Sequence, residues 1–478
     1  IDKRQFAFVV SYAYYVLIMV EPSMKDMEFR EEALGGRIWP LIIKVCFPLA
    51  IFQGISQLFS IIDSLMASHI SSNAVSTVVY LVQLNKIVSA IGSALAVACS
   101  IALSHAYGAG EYRKVKRILS TSIALATIFG VAILALLPFS NNILKITGTP
   151  EPFIEEGSSY FSISMISVIV NFLNLIYIST EKTRGKSKKI LFLNLMTVLI
   201  KLSLTAIFVY LFDGGIIDIA IATLISNIVL LLFAIISLSK KNDIFSFSIT
   251  SISLKWDSIQ PLLKLAFPSM IEKMAFSFGK STVNKMASNY GTNAVGAAGI
   301  SNNMSGLLTG LQVGFQDGGA SILGQAFGAK KEDRLRQLYR RIQILIVITG
   351  LVGFGIFYVI SPWIAKLFSL SRGGYDNEFF SMIVTIYHYE LWGTMFLSFN
   401  YASTSLLLGC GKTKLTLAVN FARIFIFRIP IIWAFQTFST LGYEAVGITM
   451  AISNALTGLF GLVVAEYVLK MQRRKEYV

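Results

Sequence analysis

The sequence predicts an all-α polytopic membrane protein: twelve transmembrane helices in two six-helix bundles, related by a pseudo-twofold axis along the membrane normal. Three observations predict it. Hydrophobic residues make up 55% of the 478 residues, and mean hydropathy is +0.67. Charged residues are 14% of the chain, against about 25% in a typical soluble domain. Several short motifs also recur once, at a nearly constant distance along the chain. A chain this apolar cannot cover a water-facing surface, so lipid must be its solvent.

A span needs about 20 apolar residues to cross a ~30 Å hydrocarbon core. Twelve stretches qualify: 41–67, 75–104, 118–138, 158–180, 190–212, 216–239, 262–288, 294–324, 342–368, 379–408, 415–438 and 445–469. Backbone groups in lipid have no water to bond, which makes these segments helices. Around them lie an N-terminal extension (1–40), a polar, Ser-rich linker (240–261) and a basic tail (470–478). The two bundles are therefore expected over 41–239 and 262–469. The run Phe6–Val20 is short for a span and lacks a cleavage site after it. An interfacial or disordered extension is the expectation there, beside an extra helix or a mis-assigned start; Met24 or Met27 would serve as an ordinary start.

The net charge of +15 would raise nucleic acid as a partner in a soluble chain, but its distribution excludes that. Basic residues sit in alternate connections: Arg113 to Arg117, Lys182 to Lys189, Lys240 with Lys241 and Lys255, Lys330 to Arg341, Lys412 with Lys414, and the tail from Lys470. The other connections offer little beyond Lys145, Lys366 and Arg372. This is the pattern of loops held in the cytoplasm. Both termini are expected there, in a bacterial-type inner membrane or its equivalent. The three cysteines, Cys46, Cys99 and Cys410, are an odd number inside or at the ends of apolar runs, so no disulfide framework is expected.

The repeat is the most informative feature. Lys44, Phe47 and Pro48 return as Lys264, Phe267 and Pro268. Asn73-Ala74-Val75 returns as Asn293-Ala294-Val295, and Ala106-x-Gly108-Ala109 as Ala326-x-Gly328-Ala329. Further on, Gly185-Lys186-Ser187-Lys188 matches Gly411-Lys412-Thr413-Lys414, and Ile225-Ser226-Asn227 matches Ile452-Ser453-Asn454. Six helices per half is an even number, so both halves enter from one side and the repeat is parallel.

With Ile62-Asp63-Ser64, Ala106-Tyr107-Gly108-Ala109-Gly110, Phe267-Pro268 before Glu272, Tyr290 to Val295 and Gly324 to Ala329 in this order, the chain resembles the multidrug and toxic compound extrusion (MATE) family over about 40–469. The resemblance implies a secondary active exporter, with two bundles in a V around a central cavity. It implies exchange of Na⁺ or H⁺ for drugs or metabolites, often cationic ones.

Charges inside spans are costly and so point to partners or function. Asp63 stands where the family keeps its coupling carboxylate, and a carboxyl desolvated at that depth can exchange a proton near neutral pH. The fifth span departs from the family: where the resemblance leads one to expect Asn, Asp and Thr, this chain has Lys201, Thr205 and Thr223. An ammonium replaces an oxygen ligand and a negative charge is lost, so a Na⁺ site, which needs hard oxygen ligands, is not expected in this half. Lys201 is instead read as a tethered cation that pairs with ionised Asp63 and is released on protonation; a static pair or a snorkelling lysine is the plainer alternative. Glu272 and Glu390 are the second-half protonation candidates. Lys273, Lys280, His388 and Tyr389 are candidates for the cavity wall. With Lys86, Lys285, Arg423 and Arg428 the spans carry seven basic groups against four acidic ones, the fourth being Asp317. That tilts the cavity positive and puts anionic, zwitterionic or peptidic substrates on an equal footing with cations.

Gly185-Lys186-Ser187 and Gly411-Lys412-Thr413 mimic the end of a phosphate-binding loop, but the first Gly of that pattern is replaced by Thr180 and Leu406. His69, His105 and His388 are far apart, so no metal centre is expected, and no nucleophile–base set points to an enzyme. The expected function is a proton-coupled antiporter, acting as a monomer without cofactors, that exports amphipathic small molecules. The alternative is a flippase for a lipid-linked anionic precursor. Lys201→Asn is expected to change the ion dependence of transport; unchanged ion dependence would contradict the Asp63–Lys201 reading.

Overall fold

A computed structural model describes residues 24–68, 72–146, 151–212, 214–240, 243–370 and 377–476; the side chains of 60–80 and of a few other positions lie outside that description. The described residues form helices, turns and loops without a strand. Twelve long helices follow one another: α1 Ile38–Ser68, α2 Ser72–Gly108, α3 Tyr112–Leu134, α4 Glu151–Thr183, α5 Ser187–Ala206 with a π extension Ile207–Leu211, and α6 Ile216–Leu238. The second half holds α7 Trp256–Ala287, α8 Thr292–Gly328, α9 Glu332–Leu370, α10 Asn377–Gly409, α11 and α12 Glu444–Glu476. Helix α11 is built from Thr413–Phe421, a π segment Ala422–Arg428 and Ile429–Phe438.

Nine of these helices are long and apolar enough to cross a bilayer. The others, α7, α8 and α10, are as long but interrupted by charged, amide and hydroxyl side chains, and all three belong to the second half. Three expected boundaries move. A helix Met24–Gly35 forms within the stretch read as an N-terminal extension, and α1 begins there too, at Ile38. Helix α7 begins at Trp256, inside the stretch read as linker, and α12 continues to Glu476 through most of the stretch read as a tail. The run 6–20 lies outside the described residues.

Two of the repeated motifs turn out to be helix ends. After α2, the Glu111 N–H donates to Ala106 O and the Gly110 N–H to Tyr107 O; after α8, Lys331 donates to Ala326 O and Lys330 to Phe327 O. These are paired closing bonds of a helix C-terminus, which require a left-handed residue. Gly110 supplies it at φ +78°, and Lys330 adopts it at +56° in the equivalent place. Gly185 and Gly411 close α4 and α10 in the same way. The phosphate-loop look-alikes are therefore a capping glycine followed by the first residues of the next helix.

At this basic end the two halves meet through backbone. A Cβ on Gly108 would fall 2.1 Å from the carbonyl oxygen of Gln325, and one on Gly328 would fall 2.1 Å from that of His105. The two contacts are related by the repeat. His105 Nε2 also lies 2.7 Å from the Gly409 carbonyl oxygen. From here a row of glycines on α8 lies along α1: Gly318 against Cys46, Gly314 against Ala50, Gly310 against Gln53 and Gly306 against Gln57. Small residues four apart let helix backbones approach closely in a membrane. Ala94 and Ala98 of α2 cluster with Ala266 of α7 beside this seam.

The helix Met24–Gly35 bridges the halves at the same end. Arg30 donates from Nε to Tyr107 O and Gly108 O (3.0 Å each) and from Nη2 to Gly108 O (2.9 Å). Those carbonyls lie at a helix C-terminus, where a cation is stabilising. Its own C-terminal carbonyls receive Arg334 Nε on Ala33 O (3.0 Å) and Lys331 Nζ on Leu34 O (3.3 Å), both from the second half. The connection between halves is docked rather than loose. Arg184 is buried, pairs with Asp243 at 2.6 Å and sits over the ring of buried Phe245, while Ser248 N–H and Ser253 N–H donate to the hydroxyls of Ser120 and Thr121.

Gly328→Ala should separate α8 from α2 and cost about 1–3 kcal/mol, seen as a lower melting temperature of the purified protein in detergent. Gly355→Ala, on α9 with open space around its Cβ position, should leave the melting temperature unchanged or raise it.

Candidate functional site

The ionisable groups of the second half converge on α11. Pro430 has no N–H to give the carbonyl four residues earlier, and its ring crowds that carbonyl. The π segment Ala422–Arg428 lies immediately before it, and its widened turns carry both Arg423 and Arg428. Arg428, 6% exposed, donates from Nε to Ser453 Oγ (3.0 Å) and from Nη2 to Asn454 Oδ1 (2.7 Å). Half-buried Arg423 donates to the same Asn454 oxygen at 3.1 Å and lies over the Phe276 ring. Neither guanidinium makes a salt bridge to a described carboxylate.

The carboxylates are tied to neutral partners instead. Glu272 Oε1 on α7 accepts from Asn420 Nδ2 on α11 at 2.7 Å. Glu390 Oε2 on α10, buried, accepts from the Ser301 hydroxyl on α8 at 2.5 Å. Lys280 of α7 stands within Coulomb range of Glu390, Arg423 and Arg428, and of Lys86 from the first half. Both lysines lie beyond the Ala94–Ala266 contact, on the side away from the basic end. Lys86 is eight residues past it along α2 and Lys280 fourteen along α7, or about 12 and 21 Å at 1.5 Å per residue.

The other sequence candidates are distributed differently. Asp63 lies on α1 and its side chain is outside the described residues. Lys201 is half-buried on α5 and engaged by a neighbour rather than free. Thr205 is fully buried with no hydrogen bond to its hydroxyl among described residues, and Thr223 donates to Ile219 O of its own helix at 2.9 Å. Lys273 is exposed. His388, Tyr389 and Glu390 face three different neighbours, because successive helical residues point about 100° apart. His388 bonds Ser361 and stacks on Tyr358, both of α9; Tyr389 lies against Gly447 of α12; Glu390 faces α8. The Asn454 hub was missed in the sequence, although its motif had been found twice: in the first half Asn227 donates to Ser167 at 2.8 Å.

A cavity of about 1280 Å³ opens at the basic end, with Arg113, Arg117, Lys330, Asp257 and Glu332 in its wall. The intramembrane charges are not part of that wall. Among the described residues no group of three or more His, Cys, Asp or Glu is placed to hold a metal.

Two repeated six-helix bundles with ionisable groups within their long helices are an architecture found among membrane transporters. The chain belongs to the MatE family, which it matches over 48–207 and 268–434, one stretch in each half. This is a family of membrane transporters, not enzymes. The chain is 27% identical to the probable multidrug resistance protein YoeA of Bacillus subtilis, over 62% of its own length and 65% of that relative. It is 22% identical to the multidrug export protein MepA of Staphylococcus aureus, over 75% and 80%. Its fold matches a multidrug resistance MATE family transporter solved in an outward-facing conformation, with a TM-score of 0.88 at 19% identity over 93% of this chain and 98% of that one.

Asn454→Leu should remove the acceptor shared by Arg423 and Arg428 and destabilise the protein by about 3 kcal/mol, since hydrogen bonds from charged groups are worth roughly 1.5–3 each. Asn227→Leu, which breaks neutral bonds at the equivalent place, should cost about 1 kcal/mol. Thermal unfolding of both variants checks the difference.

Proposed function

We propose that the chain is a proton-coupled secondary exporter that moves amphipathic small molecules out of the cytoplasm by alternating access. The observation that carries the proposal is the bonding of Glu272 and Glu390: two carboxyls within long helices, each held by an amide or hydroxyl of a facing helix. A neutral donor binds a carboxylate but, unlike a lysine or arginine partner, is not left as an unpaired charge when that carboxylate takes a proton. Protonation would therefore change the ties of α7 to α11 and of α8 to α10 without breaking a direct ion pair. An ion can shift a conformational equilibrium only through such a difference between states.

In the first half Asp63 and Lys201 are proposed as the corresponding pair. Thr205 and Thr223 offer neither the charge nor the oxygen set of a Na⁺ site, which supports H⁺ as the coupling ion. The basic end faces the cytoplasm on the distribution of Lys and Arg. The contact of Gly108 and Gly328 then closes the path on that side, and transport requires it to part. The two relatives, a probable multidrug resistance protein and a multidrug export protein, support export as the direction.

The test is efflux of fluorescent amphipaths of both charges from cells expressing the protein, with the pH and Na⁺ gradients set separately. Efflux should follow the pH gradient and fall at least about tenfold in Asp63→Asn at matched surface amount. Efflux driven by the Na⁺ gradient alone would overturn proton coupling.

A further inference from the structure

We infer that the transported amphipath carries a negatively charged head group, received between Lys86 of the first half and Lys280 and Arg423 of the second. The inference rests on the export reading above and names the substrate class of that same site.

Lys280 stands within Coulomb range of three further cations, Lys86, Arg423 and Arg428, and of a single carboxylate, Glu390; Arg428 is likewise within range of Arg423 and Glu390. That carboxylate is already bonded to Ser301. Glu272, the other carboxyl of this region, is taken by Asn420. Lys86 and Lys280 are exposed, and neither makes a salt bridge to a described carboxylate. Like charges so placed repel, and charge within the span of a bilayer is costly. An arrangement of this kind is stabilised by an anion from outside the chain. Structural need accounts for Arg428, which is buried and bonded to Ser453 and Asn454; it does not account for two exposed lysines.

Position adds a second argument. Lys86 and Lys280 come from opposite halves, beyond the point where α2 and α7 touch at Ala94 and Ala266. An anion between them would be held by both halves when they are near and by one when they part, so its affinity would differ between conformations. Apolar surface adjoins the charges: Phe276 lies under Arg423, and Phe421 and Phe425 stack on the same π-containing helix at 4.4 Å. A charged head with an apolar body fits that juxtaposition. Such a ligand has two sources, a free amphipathic anion or a lipid-linked phosphate.

The test uses the full chain in detergent and in proteoliposomes with three probes: carboxyfluorescein as the free anion, a fluorescent polyprenyl diphosphate as the lipid-linked one, and ethidium as the cation. At least one anionic probe should bind, and Lys86→Gln with Lys280→Gln should weaken it at least about tenfold while leaving ethidium no weaker. The matching Lys→Arg pair should restore binding, which a merely unfolded variant could not show. Which anionic probe binds identifies the source. Preference for ethidium, or equal affinity for the anions in wild type and the double Gln variant, would overturn the inference and leave export standing. Lysine-dependent anion binding with no transport of any probe would uphold the site and overturn the export reading.

Discussion

The approach of two backbones at Gly108 and Gly328 is the constraint on which the rest of the structure depends. No side chain fits between α2 and α8 there, and the contact occurs twice because the halves are repeats. It sets how the bundles cross, and the glycine row Gly306 to Gly318 extends the seam along α1. Arg30 then uses carbonyls at the end of α2, and Lys331 and Arg334 use those at the end of the N-terminal helix that carries Arg30. A close backbone contact holds through dispersion and shape, and needs no change of covalent structure or charge to part. That suits a closure that must open and re-form in every cycle.

Away from that seam the halves diverge in chemistry. The fifth and eleventh helices each contain a π stretch, Ile207–Leu211 and Ala422–Arg428, but under the 226-residue shift the second falls on 196–202, which is regular α-helix in the first half, so the irregularity is not shared by the repeat. Only the second stretch brings arginines, and at the positions equivalent to Arg423 and Arg428 under the 226-residue shift the first half has Thr197 and Leu202. The second half also holds the three more polar long helices. One half thus supplies most of the fixed positive charge, and the other supplies Lys86 across the gap.

Much of this was legible in the sequence because it is one-dimensional. Span length, alternating basic loops and the repeat offset are all read along the chain, and they yield twelve helices in two bundles. Gly110 and Gly185 were noticed as motif members, but their role as left-handed helix caps needs backbone torsions. The tie of Glu272 to Asn420 joins helices 148 residues apart, and no spacing rule reaches that far. His388, Tyr389 and Glu390 misled for the opposite reason: adjacency in sequence puts them on three faces of one helix. The N-terminal helix was hidden by its polar composition: it buries Phe29, Ala33 and Leu34 and is otherwise held by hydrogen bonds from basic side chains to carbonyls.

The central claim is that the two halves close at the basic end and open there in exchange for closure at the other. Spin labels introduced at Arg113 and Gln337 on the basic end, and at Leu136 and Val359 on the opposite end, would report both separations; the native cysteines are buried. On acidification or addition of a transported amphipath, the 113–337 distances should lengthen as the 136–359 distances shorten in the same fraction of molecules. A basic end that keeps one fixed distance while the protein transports would contradict the account.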